Sequence, residues 1–102
     1  MATYLLLTTY TDEGRKTIRD DPDRIKEINK EIELMGIKIV AQYALLGQYD
    51  FVNIIEAPSD EIAAKLAINL SSTGMVTTLT LTAIAVDDLI ATLKKEHGPA
   101  KW

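Results

Sequence analysis

A short segment in the middle of the chain, Gly47-Gln48-Tyr49-Asp50, carries the groups best suited to chemistry. The Tyr49 phenol and the adjacent Asp50 carboxylate have the properties needed to orient a polar ligand or to transfer a proton. The same residues are also typical of a turn, in which Gly47 adopts a positive φ and Asp50 accepts a hydrogen bond from a loop N–H. The residue types therefore allow both a ligand contact and a purely structural turn.

Two amide side chains, Gln42 and Asn53, form a second candidate site. If residues 46–49 make a four-residue turn, the two amides lie opposite each other on paired strands and share a face with Phe51. A polar pair in apolar surroundings gives a small-molecule pocket its orientation, but such a pair can also fix the register of a hairpin. The candidate ligand-binding residues are therefore Gln42, Tyr49, Asp50, Phe51 and Asn53. The sequence identifies no catalytic residue.

The residue types of the chain give little support for a metal site or a bound cofactor. The chain has no cysteine and one histidine, His97, which excludes thiolate ligands and a histidine pair within one chain. The carboxylates of Asp20, Asp21 and Asp23 suit the start of a helix better than a calcium loop, which needs a longer set of spaced oxygens. There is no glycine-rich phosphate loop and no Gly-x-Ser-x-Gly turn. We therefore predict no metal and no cofactor.

The balance of charge and hydropathy limits the classes of partner. Eleven Lys and Arg residues stand against 15 Asp and Glu residues, for a net charge of −4, and the scattered positive charges form no patch of the kind that binds nucleic acid. No apolar run approaches the ~18 residues of a membrane span. The N-terminus lacks the features of a signal peptide, so we expect no membrane partner and a cytoplasmic location.

The pattern of elements predicts one domain over residues 1–102. Alternating apolar residues and turn signals predict four strands, at Ala2–Tyr10, Ile37–Leu45, Asp50–Ala57 and Val76–Ala83. Capping residues and apolar stripes predict packed helices at Asp21–Met35 and Ser59–Thr73, a short helical segment after Thr11, and a terminal helix from Val86 that Gly98-Pro99 ends. This order predicts an α+β, ferredoxin-like βαββαβ sandwich. Its four antiparallel strands take the order 4-1-3-2, and the C-terminal helix is an addition to that fold.

Several segments also match a known family in their order and spacing. They are Leu5 to Gly14 with Asp20 to Arg24, Gly47 to Asp50 with the strand up to Pro58, and Thr77 to Ala83. Together they resemble GYD-domain proteins over nearly the whole chain, although Gln48 stands where a glycine or proline is expected. The resemblance implies a dimeric α/β-barrel fold and no particular activity. The wider structural relatives of that fold include cofactor-free monooxygenases and isomerases, so the fold alone does not give a function.

The sequence also predicts that the chain associates with copies of itself. Two helices cover only one face of such a sheet, and the apolar residues that make up 47% of the chain leave the other face in need of a partner. We predict a homodimer, sheet face against sheet face, or a higher homo-oligomer built from it, with Gln42, Phe51 and Asn53 near the remaining cavity. The expected function is a small-molecule-binding or assembly module. The alternative is a cofactor-free isomerase or monooxygenase with a pocket at the dimer interface.

Overall fold

One antiparallel sheet of four strands organises the computed structural model, which describes residues 1–95. Its elements are β1 (Ala2–Tyr10), α1 (Asp12–Asp20), α2 (Arg24–Leu34), β2 (Lys38–Ala44), β3 (Phe51–Ala57), α3 (Asp60–Ser71), β4 (Val76–Ala83) and α4 (Val86–Lys94). The strand order β2-β3-β1-β4 is the predicted order read from the opposite edge. The predicted ferredoxin-like layout is therefore confirmed, whereas His97 and the Gly98-Pro99 helix end lie outside the described residues.

The core fills the space between one face of the sheet and the helices α2 and α3. Tyr4 and Leu6 of β1 and Ile55 of β3 point toward Ile32 of α2 and Leu66 of α3, and all five side chains are buried. Alternate residues of β1 and β3 point away from the helices, because successive side chains of a strand lie on opposite faces. The sheet thus has one helix-covered face and one open face.

The first helix is held against the chain that leads into β4. Thr11 is its N-cap, as predicted: its Oγ1 accepts a hydrogen bond from Gly14 N (3.1 Å) and donates one to Gly74 O (2.8 Å). The Thr11 N–H also donates to Met75 O (2.9 Å). Gly14 is buried at this contact, and a Cβ atom on it would lie 2.0 Å from Met75 O. Only glycine allows the two backbones to approach this closely.

The start of the second helix differs from the prediction. Asp21 does not cap α2; its N–H donates to Thr17 O (2.9 Å) and so ends α1. Pro22 lies in a turn closed by a hydrogen bond from Arg24 N to Asp21 O (3.1 Å). The predicted start of this helix at Asp21 was wrong, because α1 continues to Asp20 and the chain turns before α2 begins at Arg24.

A β-bulge interrupts the alternation that the sequence predicted for β2. Ile39 pairs with Ile55 and Ala41 pairs with Ile54, which leaves Val40 as the extra residue. Ile39 therefore packs against the core instead of sharing a face with Ala41, as the unbroken alternation had predicted. Because of this extra residue, the side chains that follow Val40 lie on the opposite faces of the sheet from those expected if the alternation had continued unbroken.

Candidate functional site

Three amide side chains are joined where β2, β3 and α2 meet. Gln42 pairs with Asn53 across the two strands, and its Nε2 donates to Asn53 Oδ1 (2.7 Å) and to Asn29 Oδ1 (2.9 Å). Asn29 Nδ2 donates in return to Gln42 Oε1 (3.0 Å). The predicted cross-strand pair of Gln42 and Asn53 is confirmed. Asn29 had not been identified from the sequence, because nothing in the helical stripe of α2 marked it as a partner of β2.

The amide network forms one wall of a cavity between the sheet and the helices. The cavity has a volume of about 60 Å³. Its lining is mostly aliphatic and aromatic, and consists of Thr8, Tyr10, Ile18, Ile25, Ile28, Asn29, Ile32, Gln42, Phe51, Asn53, Leu70 and Val76. Three of the five predicted ligand-binding residues, Gln42, Phe51 and Asn53, are thus brought together at one cavity.

The position of this cavity corrects the predicted location of the pocket. Asn53 is buried on the same face of β3 as the core residue Ile55, and Gln42 reaches Asn29 of α2. Both amides therefore point toward the helices and away from the open face of the sheet. A dimer formed by two open faces cannot bring these residues to its interface, so the pocket expected at that interface is not formed by them.

The Gly47–Asp50 segment forms the loop between β2 and β3, and its contacts are structural. Gly47 has the predicted positive φ (114°). The Asp50 carboxylate accepts a hydrogen bond from Tyr10 N (2.8 Å), and Asp50 N donates to Thr8 O (2.9 Å). These bonds attach the loop to the end of β1. Neither Tyr49 nor Asp50 lines the cavity at the amide network, so the structure separates them from the other three predicted residues.

A phenol in the core forms a contact that the sequence did not indicate. The buried Tyr4 hydroxyl donates a short hydrogen bond to Asp60 Oδ1, in the first turn of α3. This bond to the carboxylate, together with burial, raises the pKa of Tyr4. Burial and the nearby Asp50 charge also raise the pKa of Tyr10 at the amide-lined cavity. Both phenols therefore keep their protons to a higher pH than an exposed tyrosine does.

The residues around the cavity can position a ligand but carry no activated acid–base pair. Its polar groups are amides, one hydroxyl and a neutral phenol, and no carboxylate, lysine or arginine lines it among residues 1–95. Such groups donate and accept hydrogen bonds without changing charge near neutral pH. In the same part of the chain, no group of three or more His, Asp or Glu side chains is arranged to hold a metal ion.

Two apolar surfaces remain uncovered in the described structure. On the open face of the sheet, Leu79 and Leu81 of β4 are each more than two-fifths exposed and Tyr43 of β2 is 60% exposed. The second surface is α4, where every residue is exposed. No helix within residues 1–95 combines the length and apolar character that crossing a membrane requires.

Comparison with known proteins gives two matches. The family model of the GYD domain matches residues 4–93. The chain is also 50% identical over 95 residues to the glutamine synthetase and cystathionine beta-lyase binding protein of Thermus thermophilus, a match that covers 92% of this chain and 100% of that protein. No solved structure matches the chain significantly. Because the family match covers most of β1, the other three strands and nearly all of α4, the chain belongs to the GYD-domain family.

Proposed function

We propose that this protein is a non-catalytic binding module that docks onto a metabolic enzyme in the cytoplasm. The partner is of the kind named for the Thermus relative, glutamine synthetase or cystathionine β-lyase. The observation that carries the proposal is the apolar stripe of α4, which the rest of residues 1–95 leaves exposed, because a helix that serves only its own fold buries such a stripe. The high identity to the relative over its full length supports the same class of function.

The stripe on α4 has the spacing of a recognition helix. Val86, Leu89, Ile90 and Leu93 stand at positions i, i+3, i+4 and i+7, and their exposure ranges from 42% to 69%. This is the pattern by which an amphipathic helix inserts its apolar side chains into a groove of a partner. A nine-residue helix is marginal in water on its own. Binding to the enzyme therefore supplies the packing that stabilises α4.

Self-association through the open sheet face is the second part of the proposal. Leu5 and Leu7 at the centre of this face lie beside Leu81 and Leu79 of the neighbouring strand, which makes a continuous apolar surface. Such a surface matches a second copy of itself across a two-fold axis. A dimer formed in this way presents two copies of α4, and two linked contacts strengthen binding to an oligomeric enzyme.

Binding to purified Thermus thermophilus glutamine synthetase and cystathionine β-lyase tests the proposal. The unmodified protein is expected to bind at least one of them in biolayer interferometry, with the Thermus relative as the positive control. Leu89→Glu places a charge in the apolar stripe and is expected to weaken binding about tenfold or more. Ala91→Glu adds the same charge on the opposite side of α4 and is the matched control.

Two results would contradict the proposal. The first is the absence of binding to both enzymes under conditions in which the Thermus relative binds. The second is equal weakening by Leu89→Glu and Ala91→Glu, which would mean that net charge and not the apolar stripe governs the contact. If Leu89→Glu instead leaves enzyme binding intact but dissociates the dimer, α4 is part of the interface between copies.

A further inference from the structure

We infer that the cavity at the amide network binds a small uncharged molecule with a carboxamide-like head and a short aliphatic tail. This inference is independent of enzyme binding by α4, because the cavity lies on the helix-covered face of the sheet. It rests on polar groups of two mostly buried residues that face the cavity, on the neutral lining around them, and on an adjoining cleft that shares an aliphatic wall with the cavity.

The first of these groups belongs to Asn53. Gln42 Nε2 donates to Asn53 Oδ1, which fixes the orientation of the Asn53 amide. Its Nδ2 makes no hydrogen bond with any residue of the described chain, although Asn53 is only 6% exposed. Since no side-chain N or O atom is both fully enclosed and unpaired within that part of the chain, this N–H opens onto the cavity. The Asn53 N–H is therefore available to a hydrogen-bond acceptor on a bound molecule.

The second group is the hydroxyl of Thr8 on the adjacent strand. Thr8 is also 6% exposed and lines the same cavity, so its hydroxyl is placed to contact a molecule bound there. Thr8 pairs with Phe51 of β3, so Thr8 and Asn53 are diagonal neighbours on the same face of the sheet. A carbonyl that accepts from Asn53 while its amide N–H reaches Thr8 would satisfy both groups.

The lining limits the charge and the size of the ligand. A carboxylate or an ammonium group would lose its hydration without gaining an opposite charge, and this is strongly unfavourable. A volume of about 60 Å³ accommodates a head group of about four water-sized atoms. A cleft of about 200 Å³ between α2 and α3 shares Ile28, Ile32, Leu70 and Val76 with the cavity. This shared wall gives an aliphatic tail a path away from the amides.

Titration of the ¹⁵N-labelled full-length protein with isobutyramide, followed by two-dimensional NMR, tests the inference. Isobutyramide has the proposed head and tail, and isobutyrate has nearly the same shape with a negative charge. The amide is expected to cause saturable shifts at Thr8, Gln42 and Asn53, and the carboxylate is expected to cause none at these positions. No saturable shift with isobutyramide, or equal shifts with isobutyrate, would overturn the inference.

Variants of Thr8 separate ligand contact from a structural role. Thr8→Val removes the hydroxyl and keeps the shape, and is expected to weaken isobutyramide binding about fivefold. Thr8→Ser keeps the hydroxyl and is expected to retain binding, which guards against a loss caused by misfolding. Thr78→Val makes the same change directly opposite Thr8 on β4, outside the cavity lining. Equal weakening by Thr8→Val and Thr78→Val, or by Thr8→Val and Thr8→Ser, would contradict the assignment.

Discussion

At Gly14 the backbone of α1 contacts the backbone of Met75. We expect a single methyl group added at this position to have the largest effect on stability. The Cβ atom of an alanine would overlap Met75 O at 2.0 Å, and backbone atoms cannot move aside as a flexible side chain does. Gly14→Ala is therefore expected to lower the free energy of unfolding by about 3 kcal/mol, the upper end of the range for overpacking. Urea denaturation measures the change, and a loss below about 1 kcal/mol would mean that α1 can move away from β4.

Gly47→Ala makes the same chemical change where space is not limiting. Within residues 1–95, no atom beyond the two adjacent residues lies within 4 Å of the added Cβ, but φ is 114°, a conformation that only glycine adopts without strain. The expected loss is about 1 kcal/mol, from backbone strain alone. The urea midpoint is expected to fall, and Gln48→Ala in the same loop serves as the control. An unchanged midpoint for Gly47→Ala would show that the loop can adopt a different turn.

Because the pKa of Tyr4 is raised, we expect the free energy of unfolding to decrease at alkaline pH. The hydrogen bond to Asp60 and burial raise the pKa of Tyr4, so the folded chain holds the phenol proton more tightly than the unfolded chain does. This contribution is complete below the ordinary tyrosine value of about 10 and is lost as the pH rises through the pKa of folded Tyr4. Tyr10 acts in the same direction.

Comparison with Tyr4→Phe isolates the Tyr4 contribution. The variant is expected to be less stable at neutral pH, because Asp60 loses its hydrogen-bond donor, and to lose less stability than the unmodified protein above about pH 10. Urea denaturation across this pH range, at one protein concentration, provides the measurement, and Tyr49→Phe is the control. Parallel pH profiles for the unmodified protein and Tyr4→Phe would show that the bond to Asp60 has no energetic effect.

At the scale of elements, local sequence signals predicted the strands well and the helix starts less well. Thr11 and Ser59 cap α1 and α3 as expected, each accepting a backbone N–H three residues later. The start of α2 was misplaced because Asp21 and Pro22 carry the same local signal whether they begin a helix or form the turn after one. The bulge at Val40 could not be predicted, since it depends on the register between β2 and β3 and not on either strand alone.

We expect the backbone amides of the terminal helix α4 to exchange hydrogen much faster than those of the packed helix α3. In the free protein, the amides of α4 are expected to exchange nearly as fast as those of an unfolded peptide, because no residue of this short helix is buried among residues 1–95. The amides of α3, which carries the buried Ala63 and Leu66, are expected to exchange far more slowly. Exchange measured by mass spectrometry with and without glutamine synthetase tests this. Strong protection of α4 in the free protein would assign the helix to an interface between copies.

For the molecule as a whole, the sequence indicated two apolar faces of the sheet but not which face the helices cover. Both alternating sets of residues in the β2–β3 hairpin contain large apolar side chains, so hydropathy alone did not distinguish them. The pair of Gln42 and Asn53 was recognised, but it was assigned to a pocket at the dimer interface. Its true position depends on Asn29 of α2, a contact between distant segments that no local pattern encodes. The amide-lined cavity and the open face are consequently separate surfaces, which can be altered independently.

We expect the open face of the sheet to form a dimer interface, and a single charge introduced into that face to dissociate the dimer. Burying about 800 Å² per partner would cover the partly exposed Leu5 and Leu7 of β1 and the exposed leucines of β4. Light scattering at low micromolar concentration is therefore expected to give about twice the chain mass of 11.3 kDa. Leu81→Glu places a carboxylate within that apolar contact and is expected to give a monomer. Thr82→Glu adds the same charge at the next residue of β4, which is exposed on the opposite face, and is expected to remain dimeric. A mass of 11.3 kDa for the unmodified protein would rule out the dimer, while dissociation by both variants would mean that charge on β4, and not the open face, controls association.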